Sequence, residues 1–241
     1  MTVKKTKGSK EKQGKTKTKK EQKELPLEKE SGQEVQEKTK GKYIYVYGIA
    51  NKQDFNLEIK GLNDKLIKKI DFKEVSVLTS DYPTLHPILK EEEAMHHAEI
   101  LRKIAQKTTV IPMGFGMVFK EQKFLETVLT KAYQAIKGTL KIVENKIELG
   151  VKVVKKESDD APNGTALEIL ESLNELAVKN REGDKFSDRL LLNYSFLVER
   201  NKFSEFSEKI GELEERHQEL KFLYTGPWPP YSFVNIKIQG G

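Results

Sequence analysis

A chain of 241 residues without cysteine, with 43 basic and 37 acidic side chains and a formal net charge of +6, excludes disulfide scaffolds and thiol chemistry. It is long enough for one or two domains with cores of their own. The charge is unevenly placed, because residues 1–40 hold thirteen Lys against seven Glu, which leaves residues 41–241 balanced at thirty of each sign.

The larger apolar residues of that tail are Val3, Leu25, Leu27 and Val35, too few to offset the entropy of ordering forty positions. A disordered tail is predicted, serving solubility or weak attraction to an acidic partner, RNA or an anionic surface. The lysine-rich start has no apolar stretch behind it, and the longest mostly apolar run, Leu190 to Val198, is too short to span a bilayer. A soluble cytoplasmic protein without membrane insertion is expected.

Order begins at Tyr43-Ile-Tyr-Val-Tyr-Gly-Ile49, a β-branched and aromatic run that predicts a central strand. Phe55 to Ile59 alternates weakly and Val75 to Leu78 more clearly, so both are predicted strands; Leu66, Ile67 and Ile70 between them suit a short helix or another strand. Asp81-Tyr82-Pro83 and His86-Pro87 mark a loop.

From Ile88 to Lys107 the spacing predicts a helix, with Glu91, Glu92 and Glu93 near the positive end of its dipole and Ala94, Ala98, Leu101 and Ala105 on one stripe. His97 lies on that stripe and His96 points away, so the adjacent pair cannot chelate one ion from a single face. Glu93 and His96 have the spacing of a di-iron half-motif, but a second copy is missing, and no metal or other cofactor is expected. A packed His97, hydrogen-bonded to a neighbouring loop, accounts for its position.

Val110 to Phe119 is apolar, with Pro112 near its start and Gly114 and Gly116 flanking Phe115; it lacks the third glycine of a dinucleotide loop and the lysine of a Walker loop. The glycines are expected to let the backbone bend while Phe115 and Phe119 are buried. Phe124, Leu125, Val128, Leu129, Ala132, Ala135 and Ile136 then predict a second helix, closed by Gly138.

Beyond it, Ile147, Leu149, Val151 and Val153 alternate as a strand, and Pro162-Asn163-Gly164 precedes a helix with Ala166, Ile169, Leu170, Leu173 and Leu176. Leu190 to Val198 predicts a strand, Phe203, Phe206, Ile210 and Leu213 a helix ended by a packed His217, and Leu220, Phe222 and Tyr224 a last strand. This alternation suits a mixed or antiparallel sheet with helices on one face, of ferredoxin-like type. The predicted fold is α+β: a tail over 1–40 and two small α/β domains over 41–140 and 141–241, at least the second ferredoxin-like.

The chain closes on Gly226-Pro227-Trp228-Pro229-Pro230-Tyr231-Ser232-Phe233, which holds the only Trp and three of the eight Pro residues. Three prolines in four positions argue against a ladder or helix and predict a shaped connector. Trp228, Tyr231 and Phe233 must then bury their rings between the two domains or against another protein.

Together these motifs resemble the gas vesicle accessory proteins of the F/L family. The likeness rests on Tyr45-Val46-Tyr47-Gly48-Ile49, the helix with His97, Pro112 through Phe115-Gly116, Val118-Phe119, Gly150-Val151-Lys152 and Thr225 through Phe233. It covers most of residues 42–234, and the last motif is the most specific. The family commonly has arginine before the Phe-Gly pair where this chain has Gly114, so no role of that arginine carries over. The resemblance implies a non-enzymatic assembly factor or minor component of gas vesicles, partnered by the small apolar shell protein and other accessory proteins. No Gly-x-Ser-x-Gly elbow, His-Glu-x-x-His helix or phosphate loop speaks for catalysis.

The alternative is an RNA-binding or regulatory ferredoxin-like module with a basic tail, because Tyr43, Tyr45 and Tyr47 share one strand face. The ribonucleoprotein signature is missing, and the other face of that strand is equally apolar, so no specific nucleic acid is expected.

Overall fold

The structure is a computed structural model describing residues 43–52, 57–88, 90–156 and 164–236. The predicted tail, Phe55 and the Pro162-Asn163 break lie outside the described residues. Two antiparallel sheets carry the fold.

The first sheet is built around β1 (Tyr43–Asn51), which pairs along its length with β3 (Val75–Tyr82). On its other side β1 receives two short strands, β4 (Val110–Pro112) and β5 (Val118–Phe119), while β2 (Lys68–Phe72) extends the sheet beyond β3. The ambiguous segment therefore resolves as strand from Lys68 onward. The predicted strand at 55–59 does not form at Leu57–Ile59, because both apolar side chains turn into the core from a loop.

Helix α1 (Glu91–Lys107) covers one face of this sheet and α2 (Gln122–Val143) the other. Strand periodicity, reset by the register shift between Val46 and Gly48, explains the division. Tyr45 and Tyr47 point into the cluster that contains Ile100, Leu101 and Ile104, whereas Val46 and Ile49 join Leu125, Leu129 and Ile136. Tyr45 and Tyr47 are wholly buried, so the aromatic face of β1 offers no platform for bases.

Several boundaries move. Helix α2 does not end at Gly138; Leu140 and Val143 continue its buried stripe, and that gain outweighs the roughly 1 kcal/mol cost of an exposed glycine. Helix α1 starts three residues later than expected and leaves Ile88 exposed. On it Ala94 and Ala98 are only half-buried, and Ile100 and Ile104 carry the core contact.

The second sheet contains β6 (Lys146–Lys155), β7 (Lys179–Glu182), β8 (Leu190–Glu199) and β9 (Leu220–Trp228), in the order β7-β8-β6-β9. With α3 (Thr165–Asn174) after β6 and α4 (Phe203–Arg216) after β8, the succession is β-α-β-β-α-β, the ferredoxin-like pattern. Both helices pack on one face, over Leu149, Val151, Val153, Phe196 and Phe222. Strand β7 was not foreseen, since all four of its residues are exposed and polar at a sheet edge. The C-terminal run also departs from expectation. Strand β9 continues through Thr225, Gly226 and Pro227 to Trp228, because a register shift between Glu148 and Gly150 lets the strand pair resume at Glu148 and Trp228.

Candidate interaction site

The first half of the candidate site is a hydrogen-bond chain around His97, which α1 buries against β1. Its Nε2 lies 3.0 Å from the Met113 carbonyl oxygen, an atom that only accepts, so Nε2 carries the proton. Nδ1 then accepts from the Tyr45 hydroxyl at 2.9 Å, and that same oxygen accepts the Gly116 N–H at 3.1 Å. Burial lowers the pKa of His97, the Met113 contact opposing it, while burial raises that of the Tyr45 hydroxyl.

This chain ties the loop after β4 to α1. Pro112 is buried in β4 opposite Gly48, and Phe119 is buried on the α2 side. Phe115, expected to be buried, is only half so, with its ring edge toward His97 at 5.8 Å. Gly116 has φ of 85°, a left-handed conformation that glycine adopts without penalty, whereas Gly114 faces open space. The absent arginine thus corresponds to an exposed, empty position.

The second half of the candidate site is the C-terminal run, which works as a strap. Beyond Trp228, Pro229 and Pro230 are buried, and a 3-10 turn over Tyr231–Phe233 places Ser232 on the outer face of the second sheet. There the Glu148 carboxylate, only 7% exposed, accepts from the Ser232 N–H at 2.7 Å and from its hydroxyl at 2.5 Å. Arg181 from β7 donates to the Ser232 carbonyl at 2.7 Å. Next, Val234 and Ile236 pack against the α2-side core of the first sheet, so the strap joins both sheets. Partial burial, and secondarily the charge of Glu148, push the Tyr231 hydroxyl pKa up to about 12.

Of the three candidate rings, Phe233 is half-buried, while Tyr231 and Trp228 stay partly open at 39% and 37% exposure. Trp228 faces α1. Together with Glu91, Glu92, Met95, Ala98, Glu99 and Arg102 it lines an open groove of about 850 Å³, in which Met95 is 68% exposed. Sequence reasoning missed Met95 and the acidic rim, because an exposed Met on a polar helix face carries no periodic signal. It also missed Glu148, which looks like any other outward polar residue of an alternating strand. Among the described residues no group of three or more His, Asp or Glu side chains could hold a metal ion, and no helix is long and apolar enough to cross a membrane.

The family model described as "Gas vesicle synthesis protein GvpL/GvpF" matches residues 43–165 and 154–235. The chain belongs to the GvpL/GvpF family. Gas vesicle protein F1 of Halobacterium salinarum is 36% identical over 208 residues, covering 82% of this chain and 98% of the relative. Gas vesicle protein F of Haloferax mediterranei is 35% identical over 201 residues, covering 81% and 94%. The crystal structure of the gas vesicle protein GvpF from Anabaena sp. PCC7120 superposes with a TM-score of 0.70 at 19% identity, over 82% of this chain and 98% of that one. That of GvpF from Microcystis aeruginosa gives the same TM-score at 18% identity. Both share the fold of this GvpL/GvpF member, in which the His97 chain fastens a loop to α1 and the Ser232 strap fastens the C-terminal segment to the second sheet.

Proposed function

We propose that this GvpL/GvpF member is a non-enzymatic assembly factor or minor component of gas vesicles, acting in the cytoplasm before or during assembly and at the vesicle. In this reading it binds the small apolar shell protein and other accessory proteins and uses no cofactor. Subunits that will face gas expose apolar surface before assembly, and such surface aggregates unless covered. The observation that carries the reading is the open groove in which Trp228 and Met95 stay exposed side by side.

The division into domains over 41–140 and 141–241 is part of this proposal, supported by the end of α2 at Val143 and the start of the second sheet at Lys146. Tyr231 and Phe233 act here as strap residues, and Trp228 as the contact.

Capture of purified shell protein tests the proposal. Trp228→Ala with Met95→Ala is expected to lose capture at unchanged thermal stability, whereas Tyr231→Ala with Phe233→Ala lowers stability first. Absence of capture by the wild-type chain at any salt concentration, together with normal vesicles in cells lacking the protein, would sink it.

A further inference from the structure

The two helices that sandwich the first sheet present unlike outer faces. On α1 the groove beside Trp228 has an apolar floor, Met95 and Ala98, under a rim on which Glu91, Glu92 and Glu99 outnumber the one fixed cation, Arg102, with His96 beside them. On α2 the outward stripe is Phe124, Lys131, Ala135 and Ile142, residues whose spacing of seven, four and seven places them above one another on a 3.6-residue helix. All four are exposed, Phe124 at 55% and Ile142 at 43%. Lys123 and Lys141 flank them, and the small residues Ala135 and Gly138 keep the middle of the face low enough for a helix to approach.

We propose that the α1 groove of one copy receives the outer face of α2 from a second copy of this chain. The argument is complementarity of both kinds. Phe124 and Ile142 meet the apolar floor with Met95 and Trp228, while Lys123 and Lys131 meet Glu91, Glu92 and Glu99. Like charges would face each other in an α1–α1 or α2–α2 contact, so electrostatics favour the unlike pairing. Glu99 already pairs with Lys103 on its own helix, which leaves Glu91 and Glu92 as the principal acceptors for the incoming lysines.

The geometry also sets the kind of assembly. Because α1 and α2 cover opposite faces of one sheet, the two complementary patches point in opposite directions on the same molecule. A contact between unlike patches is heterologous, and repetition produces an open row or a ring instead of a closed two-fold dimer. Self-association and shell-protein capture would use the same groove and so compete for it, but the charge-reversal test reads self-association of the purified chain alone and fails or succeeds apart from shell-protein capture.

Charge reversal tests it on the full chain. Sedimentation velocity is expected to show wild-type association that grows with concentration and weakens with salt. Glu91→Lys with Glu92→Lys, and separately Lys123→Glu with Lys131→Glu, are each expected to weaken self-association at least about tenfold, circular dichroism melts confirming that both variants fold. An equimolar mixture of the two variants restores association, because each then offers the other an opposite charge. Trp228 is the only tryptophan, so a blue shift of its emission on assembly reports the groove directly. A wild-type chain that stays monomeric up to about 0.5 mM overturns the proposal, since even weak specific contacts populate at that concentration. Association untouched by both variants, or failure of their mixture to recover it, also overturns it.

Discussion

The Glu148 carboxylate holds both the N–H and the hydroxyl of Ser232, at 2.7 and 2.5 Å, and so fastens the end of the chain to the outer face of the second sheet. A buried carboxylate is costly unless its lone pairs are satisfied, and Ser232 satisfies one on each oxygen. Truncation removes the clasp from either side. Glu148→Ala is expected to lower unfolding free energy by about 2–3 kcal/mol and Ser232→Ala by about 1 kcal/mol, since the serine variant keeps its backbone donor. Urea denaturation checks the order; a Glu148→Ala midpoint equal to wild type would show that the strap contributes nothing.

Two glycines should respond to alanine in opposite directions. Gly226 has φ of 120°, and a Cβ there would sit 2.9 Å from the Glu148 carbonyl oxygen, a backbone atom that cannot swing aside. Gly226→Ala is expected to cost about 1–3 kcal/mol, from the strained backbone and the displaced strand. Gly138 lies inside α2 with nothing within 4 Å of a built Cβ, so Gly138→Ala should stabilise by about 0.4–1 kcal/mol. Thermal melts of the two variants distinguish the cases.

How far these features were legible depends on whether a residue declares its environment locally. The continuous apolar runs of β1 and β8, the alternation of β6 and the apolar stripes of α2 and α4 reveal most elements, because burial of both faces gives a run and burial of one face a period. His97 is legible for the same reason. Strand β7 is not, since an edge strand buries nothing and Lys-Asn-Arg-Glu reads as a loop. The proline-rich run suggests only a connector, yet its first residues complete β9 because a bulge in β9 itself, three residue steps from Thr225 to Trp228 against two from Glu148 to Gly150, absorbs the irregular register. The groove is least legible of all. It exists because the end of β9 lies beside α1, a long-range placement that neither segment encodes alone.

His97 gives a specific pH dependence. Burial depresses its folded pKa below the ordinary 6.5, so the unfolded chain takes up a proton at a pH where the folded one does not. The neutral ring therefore contributes stability in full above about pH 6.5, and this is lost as pH falls through that value toward the folded pKa. The slope from one such group reaches at most about 1.4 kcal/mol per pH unit. His97→Gln is expected to flatten that part of the profile, so the wild-type minus variant difference in urea stability should shrink as pH drops from about 7 to 5. A difference that stays constant over this range would remove His97 as the source.

Arg200 joins the two halves at a different point from the strap. It stands in the 3-10 turn after β8, and its Nη2 donates to the Ala105 carbonyl at 2.5 Å, in the last turn of α1. That carbonyl has no later helical donor, and a guanidinium at a helix C-terminus also meets the negative end of the dipole. The Arg200 backbone N–H donates to the Asn145 carbonyl, and the Asn145 N–H to the Thr109 hydroxyl, so side chain and backbone together link the turn after β8 to the ends of α1 and α2. Arg200→Ala removes a charge-assisted bond from a half-buried site, and a loss of about 1.5–3 kcal/mol is expected, with Arg200→Lys recovering part of it. Amide hydrogen exchange separates local from global effects. Faster exchange confined to the last turn of α1 would identify Arg200 as a helix cap alone, whereas faster exchange along both β1 and β6 would identify it as a bolt between the two sheets.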